Sequence, residues 1–232
     1  RVDGVLLVDL TVDDPRPAAV RGMGIPAVSV SSDTAASGLP HVWTDDAAAM
    51  REAVAHLAGL GHSAIARVGG IRSLAHVLAR DEAFLAAAAD AGLVSPAILE
   101  TDFTGEAGAD ATRRLLSAAD RPTAIVYDND IMAVAGLGVA AELGVAVPGE
   151  LSIVAWDDSP ICEITNPPLT AMRRDVQALG SAATRMLLRA VAGEDVEPER
   201  GPSPTLLPRG STAAPTRGGG GARGSGHPSP RR

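Results

Sequence analysis

The chain has 232 residues, 46 % of them hydrophobic, with 20 basic residues against 28 acidic ones and a net charge of −8. That length buries a sizeable core, as one large α/β unit or two lobes, and that composition excludes a globally disordered chain. Every basic residue is Arg, and the stretch from Arg209 onward holds five of them and no acid, so the body before it carries 15 − 28 = −13 and has no nucleic-acid footprint.

No run approaches the roughly 18 apolar residues of a membrane span, and no signal peptide opens the chain. Arg1-Val2-Asp3-Gly4 leads straight into a strand, which reads as a mid-fold start. Cys162 is the only cysteine, so no intrachain disulfide forms and a cytosolic setting is expected.

In chain order, residues 2–8 read as a strand and 13–23 as a Pro-punctuated loop or short helix. Residues 27–30 and 41–43 are short strands. Asp45 or Asp46 caps a helix that Gly61 stops. Residues 65–68 form a strand ended by Gly69-Gly70, and a helix follows over 76–91. Residues 98–102 are the next strand, Thr104 the next cap and 106–118 the next helix. The strand 124–127 opens into Asp128-Asn129-Asp130 and a helix over 131–143 with Gly144 as its stop. Strand 151–155, an irregular Pro-rich segment and strand 169–172 come next. Asp175 caps a last long helix whose Val176, Leu179, Ala183, Met186 and Leu187 keep helical spacing. Residues 205–207 are a final strand, and the Gly/Pro/Arg-rich tail over 209–232 reads as disordered. Strands alternating with helices imply parallel sheets covered on both faces.

In open α/β sheets, ligands bind at the carboxyl ends of the strands. Arg80, Asp102 with Phe103, Asn129, Asp157 and the Arg173-Arg174-Asp175 run fall at such ends or in the turns that follow. A carboxylate, a carboxamide and a guanidinium converging there suit a polyhydroxylated ligand: Asp157 accepts hydroxyl protons, Asn129 donates and accepts, and Arg80 donates in a fixed fork. Phe103 or Trp156 would cover the apolar face of a ring. The competing reading makes Arg80 a surface helix residue, Asn129 and Asp157 mere caps, and the strand-end aromatics plugs of the sheet edge.

Catalytic patterns are missing. Adjacent Asp157 and Asp158 would point to opposite faces if the strand geometry continues through them, and Asp128 and Asp130 flank a cap. The five His lack metal-ligand spacing, no Gly-x-Ser-x-Gly elbow occurs, and a chain without Lys has no lysine-based phosphate or Schiff-base chemistry. No cofactor or metal is expected.

Several stretches together resemble the effector-binding core of the LacI/GalR family of bacterial transcriptional regulators. They are Val2-Asp3-Gly4-Val5, His56-Leu57-Ala58-Gly59-Leu60-Gly61-His62, Arg121-Pro122-Thr123-Ala124 with Asn129-Asp130-Ile131-Met132-Ala133, and Val147-Pro148-Gly149-Glu150 through Trp156-Asp157-Asp158. Pro168-Leu169-Thr170-Ala171-Met172 completes them. They follow the family's order over nearly all of residues 1–208. A narrower likeness is to actinobacterial regulators of plant-polysaccharide oligosaccharides such as cellobiose.

The resemblance implies a periplasmic-binding-protein-like type I fold, two doubly wound parallel-sheet lobes with the effector between them. Residues 1–44 and 173–202 would make a truncated first lobe with an exposed sheet edge, and 45–172 with 203–208 the second. It implies a sugar-sensing, non-enzymatic, cytoplasmic role. Operator DNA would be bound only through a helix-turn-helix headpiece that these residues do not include, with no membrane partner and with homodimerisation in the full-length parent. Arg80, Phe103, Asn129 and Asp157 match the family's effector contacts. Ser31 stands where some sugar-responsive members place an Asp, and Val176 where some carry an aromatic. A transport-class sugar-binding protein of the same fold is the alternative.

Overall fold

The computed structural model describes residues 2–32 and 38–216. Its strands divide between two sheets. The first contains β1 (Val5–Val8), β2 (Ala27–Ser32), β3 (His41–Thr44) and β9 (Glu199–Arg200), all parallel in that order. Two helices accompany it, the short α1 (Arg16–Gly22) and α7 (Val176–Val191). α7 buries Leu179, Ala182, Ala183 and Met186 against Val28 and Val42, with the i, i+3, i+4, i+7 spacing of a one-faced helix. β1 is the open edge of this sheet, with Leu6 and Val8 exposed. An apolar, unpaired edge of that kind is an association hazard.

The second sheet has the order β10-β8-β7-β6-β4-β5. Here β4 is Ile65–Gly69, β5 Ala97–Glu100, β6 Ala124–Tyr127, β7 Ser152–Trp156, β8 Thr170–Arg173 and β10 Thr205–Leu207. All its pairings are parallel except that of β10, which runs antiparallel to β8. Helices cover both faces, so alternate residues of one strand enter different cores. Ile125 and Ile153 join the core that includes Leu115 and Met132 from α4 (Gly105–Leu116) and α5 (Asp130–Glu142). Val126 and Val154 join Met50, Leu57 and Phe84 from α2 (Asp46–Gly59) and α3 (Ala75–Asp90). Strands buried on both faces are predominantly apolar, as β6 and β7 are, with the buried Ser152 the polar residue of β7.

Local chemistry sets the helix ends. Asp45, Thr104, Asn129 and Asp175 each accept a hydrogen bond from the backbone N–H three residues on. Gly61 and Gly144, with φ of +97° and +69°, turn the chain left-handed after α2 and α5. His62 N–H and Val145 N–H then reach back to the Leu57 and Ala140 carbonyls.

The chain passes from the first sheet to the second between β3 and α2, returns between β8 and α7, and crosses again between β9 and β10. Beyond β1 it also touches the second unit: Val12 N–H bonds Ser73 O at 2.9 Å, and Ala75 N–H bonds Leu10 O at 3.0 Å. The carboxyl ends of the two sheets therefore face each other across a cleft. No helix among the described residues is long and apolar enough to cross a membrane.

The structure differs from the sequence expectation in three places. The Pro-rich segment after β7 holds a short helix, α6 (Ile161–Ile164), and the two-residue β9 was not foreseen. Residues 209–216 are ordered rather than tail-like. Ser211 is fully buried, accepts from Thr170 N–H and donates to Ile153 O, while its own carbonyl accepts from Ile153 N–H. The rest of the predicted tail, 217–232, lies outside the described residues.

Candidate functional site

Beneath the cleft lies a buried set of charges. Arg80 of α3 is 2 % exposed. Its Nε and Nη2 donate to Asp46 Oδ2 at 3.2 and 3.0 Å, and its Nη1 donates to Asp128 Oδ1 at 2.7 Å. Arg67 of β4 donates from Nε to Asp81 Oδ1 at 2.8 Å and lies 3.1 Å by Nη2 from Asp128 Oδ2. Asp128 also accepts from Gly70 N–H, which ties the turn after β4 to the end of β6. Burial alone would raise the Asp128 pKa, but the Arg67 and Arg80 charges outweigh it and hold the carboxyl far below the ordinary range.

This arrangement changes the reading of Arg80. It is neither a surface residue nor a free fork, because carboxylates take three of its donors. Two of the five guanidinium N–H groups remain.

Trp156, at the end of β7, is fully buried under the Arg80 guanidinium, whose carbon lies 4.2 Å from the ring centroid. Its ring therefore belongs to the core, and its indole Nε1–H has no hydrogen-bond partner. Tyr127 is equally buried and shares a 2.7 Å hydrogen bond with Thr112 Oγ1, so it plugs the sheet and does not line the cleft.

Phe103 is half-buried with a φ of +69° and lies over Gly70, where an added Cβ would run into the ring. Glycine there leaves room for the aromatic face. Asn129 links these parts: Oδ1 caps α5 by accepting from Met132 N–H at 2.8 Å, and Nδ2 donates to Phe103 O at 2.9 Å. It is a cap and a tether together, with one amide N–H left over. His76 of α3 faces Phe103 at 6.4 Å between centroids and sits 3.9 Å from Asp9 Oδ1, across the cleft. Burial first, and the Arg80 charge second, push its pKa down to about 4.

Asp157 follows Trp156 with a φ of +64°, a left-handed conformation that costs a non-glycine residue energy. Its side chain is 44 % exposed, yet Oδ1 is buried without a hydrogen-bond partner. The nearest cation is Arg174, with Nη1 3.8 Å from that oxygen and its own Nε buried and unpartnered. Burial raises the Asp157 pKa above its ordinary 3.8, against the opposing pull of Arg174 and Arg80. Ser31 Oγ, at the end of β2 in the first unit, is a further buried atom without a partner. Val176 is exposed at the start of α7.

The structure thus joins Phe103, Asn129 and Gly70 into one unit, and Asp157 with Arg174 into another. Arg174 was visible in sequence only as part of a charged run. Its place beside Asp157 depends on the return of the chain from β8 to α7. Among the described residues no group of three or more His, Cys, Asp or Glu is placed to hold a metal.

Two sheets, parallel apart from β10, joined by several crossings and carrying polar side chains at their facing carboxyl ends, define a periplasmic-binding-protein-like α/β domain. The model of the periplasmic binding protein-like domain matches residues 54–212. The regulator MalR of Streptomyces coelicolor is 35 % identical over 216 residues, covering 90 % of this chain and 62 % of the relative. CelR of Thermobifida fusca is 32 % identical over 206 residues, covering 86 % and 60 %. Among solved structures, a LacI family transcriptional regulator from Bifidobacterium animalis subsp. lactis superposes with a TM-score of 0.88 at 42 % identity, covering 93 % of this chain and 79 % of that one. A CelR–cellobiose complex gives 0.82 at 30 %, covering 91 % and 66 %. The chain belongs to the LacI family of transcriptional regulators, and it spans 62 % and 60 % of the length of the two curated relatives named here.

Proposed function

We propose that this chain is the ligand-sensing part of a cytoplasmic LacI-type regulator and that it binds a small sugar in the cleft between its two lobes. The observation that carries this is the set of buried polar atoms without protein partners at the strand ends: Asp157 Oδ1, Arg174 Nε, Trp156 Nε1 and Ser31 Oγ. Buried polar groups are almost always hydrogen-bonded, so unpartnered atoms at these strand ends, with Asp157 and Arg174 side by side, favour a site that a hydroxyl-rich ligand completes. In this reading Asp157 and Arg174 share the ligand's hydroxyls. Asn129 adds its spare amide N–H, and Arg80 adds the two N–H groups its carboxylates leave. The Phe103 ring covers an apolar sugar face.

The solved CelR–cellobiose complex supports a glucoside as the class of effector. Residues 1–44 with 173–202 form one jaw and 45–172 with 203–208 the other. A ligand that binds both jaws favours the closed arrangement in proportion to its differential affinity for it. Operator binding by a DNA-binding domain outside these residues, in a dimer of the parent protein, is the property that closure controls.

The test is a thermal-shift and calorimetric screen of mono- and disaccharides, cellobiose and maltose included, on the wild type and on Asp157→Ala. A sugar that binds the wild type and fails with the variant supports the assignment. A sugar that binds both equally removes Asp157 from the site.

A further inference from the structure

The segment after β10 carries no residue of the cleft, yet it is bound along its length to the strands that form it. Arg209 grips Asp158 with both ends of its fork, Nη1 to Oδ1 at 2.6 Å and Nη2 to Oδ2 at 3.0 Å, and Nη1 also donates to Leu169 O at 2.7 Å. The Asp158 side chain is 3 % exposed and also accepts from Arg173 Nε at 2.7 Å. Further on, Ser211 bonds β7 and Thr170, Thr212 meets His56 Nε2 at 3.1 Å, and Ala213 O accepts from His62 Nε2 at 2.9 Å. Thr216 ends the contact on Gly149 O.

Asp158 adjoins Asp157, whose φ of +64° has to be held in place by its surroundings. The turn is also held by Arg173 on Asp158, by Cys162 N–H on Ser159 O at 3.0 Å and by a weak contact from Cys162 Sγ to Asp157 O at 3.8 Å, but only Arg209 grips the Asp158 carboxylate through both of its oxygens. A bidentate arginine–carboxylate pair fixes orientation as well as distance. Without that fork Asp158 would keep only the single Arg173 contact, and the turn would be free to relax toward negative φ and carry the Asp157 carboxylate away from Arg174.

We propose that residues 209–216 form a latch that sets the conformation of the Asp157 turn, with Arg209 as a positioning residue for the cleft. The consequence for sugar affinity rests on the sugar-binding reading above. The latch itself does not.

The experiment uses the full chain as wild type, Arg209→Gln, Asp158→Asn, the double variant and Thr216→Ala. Arg209→Lys is the conservative substitution, in case the Gln variant does not fold. Amide hydrogen exchange is followed in residues 157–160 and in α2 as reference, with the affinity of any sugar found in the screen. Arg209→Gln and Asp158→Asn are each expected to speed exchange in 157–160 and leave α2 unchanged. Each should weaken sugar binding about tenfold, the double variant no more than either single one, because both act through one contact. Arg209→Lys keeps the charge without the fork and falls between. Thr216→Ala loosens the far end of the segment without altering exchange at 157–160.

Unchanged exchange in Arg209→Gln, additive losses in the double variant, or an equal rise in Thr216→Ala would each overturn the latch. If the wild type binds no sugar, the functional reading fails and the exchange data alone decide the latch. If sugar binds and Arg209→Gln binds it as tightly, the positioning role fails and the functional reading stands.

Discussion

Arg80 and Trp156, 76 positions apart in sequence, stack with the guanidinium carbon 4.2 Å from the ring centroid, and both are buried. The stack joins α3 to the end of β7. Asp46 and Asp128 fix the arginine from the other sides, so one side chain ties α2, α3, β6 and β7 together directly under the cleft. A charge in that position has to be fully paired. Removing one partner leaves the other ionised and desolvated, which is worse than never having buried either.

That relationship makes Asp128→Asn a severe substitution. Arg67 and Arg80 would keep one carboxylate partner each, Asp81 and Asp46, and would lose the shared one. The expected loss is about 3–5 kcal/mol, read as a lower urea midpoint with an unchanged slope. A loss below about 1 kcal/mol, the scale of an exposed pair, would show that the network is hydrated and loosely held.

Gly70→Ala tests the cleft wall. The new Cβ would overlap the Phe103 ring, so the ring is displaced while the backbone of β4 stays in place. Overpacking of this kind costs about 1–3 kcal/mol. Sugar affinity should fall by more than the melting temperature suggests, and Phe103→Ala should lose affinity with less loss of stability. Equal affinity in Gly70→Ala and wild type would remove Phe103 from the ligand surface.

Local rules made much of the fold legible, and long-range pairing explains what they missed. Asn129, Thr104 and Asp175 cap helices as their positions predict, because a cap bonds only a few residues ahead. In sequence Arg80 looks like a free donor, because its partners lie 34 and 48 positions away, beyond any local pattern. The segment 209–216 looks unable to fold by composition. Its hydroxyls and carbonyls nonetheless find partners on β7, β8 and the two histidines of the α2 end, and composition cannot show that. His62 among them is buried between Thr123 and Ser152.

Asp157→Asn should stabilise the protein while impairing it. The folded-state pKa of Asp157 is raised above its unfolded value of 3.8, chiefly by burial. Stability from the protonated form is therefore full below pH 3.8 and lost as pH rises through the folded value. At pH 7 the wild type carries this penalty and the asparagine variant does not. The variant is expected to melt higher at pH 7, with the gain vanishing near pH 3, and to bind sugar more weakly. A gain of the same size at both pH values would trace the effect to something other than ionisation. The trade of stability for a ligand-ready carboxylate is one that binding sites commonly make.

His76 gives the opposite pH signature. It sits at the contact between the two units, facing Asp9 from the first and Phe103, Arg80, Asp46 and Asp128 from the second. Burial and then the Arg80 charge lower its pKa from 6.5 to about 4, against the pull of the three aspartates. The unfolded chain thus binds the proton more readily than the native one. Stability contributed by the neutral ring is full above pH 6.5 and falls as pH drops toward about 4. A shift of that size corresponds to roughly 3 kcal/mol at most. His76→Gln keeps a neutral polar side chain and removes the titration, so its melting temperature should fall less than that of the wild type between pH 6.5 and 4.5. Parallel curves for the two proteins across that window would mean that the ring is hydrated and titrates normally. The contact between the units would then not hold it neutral.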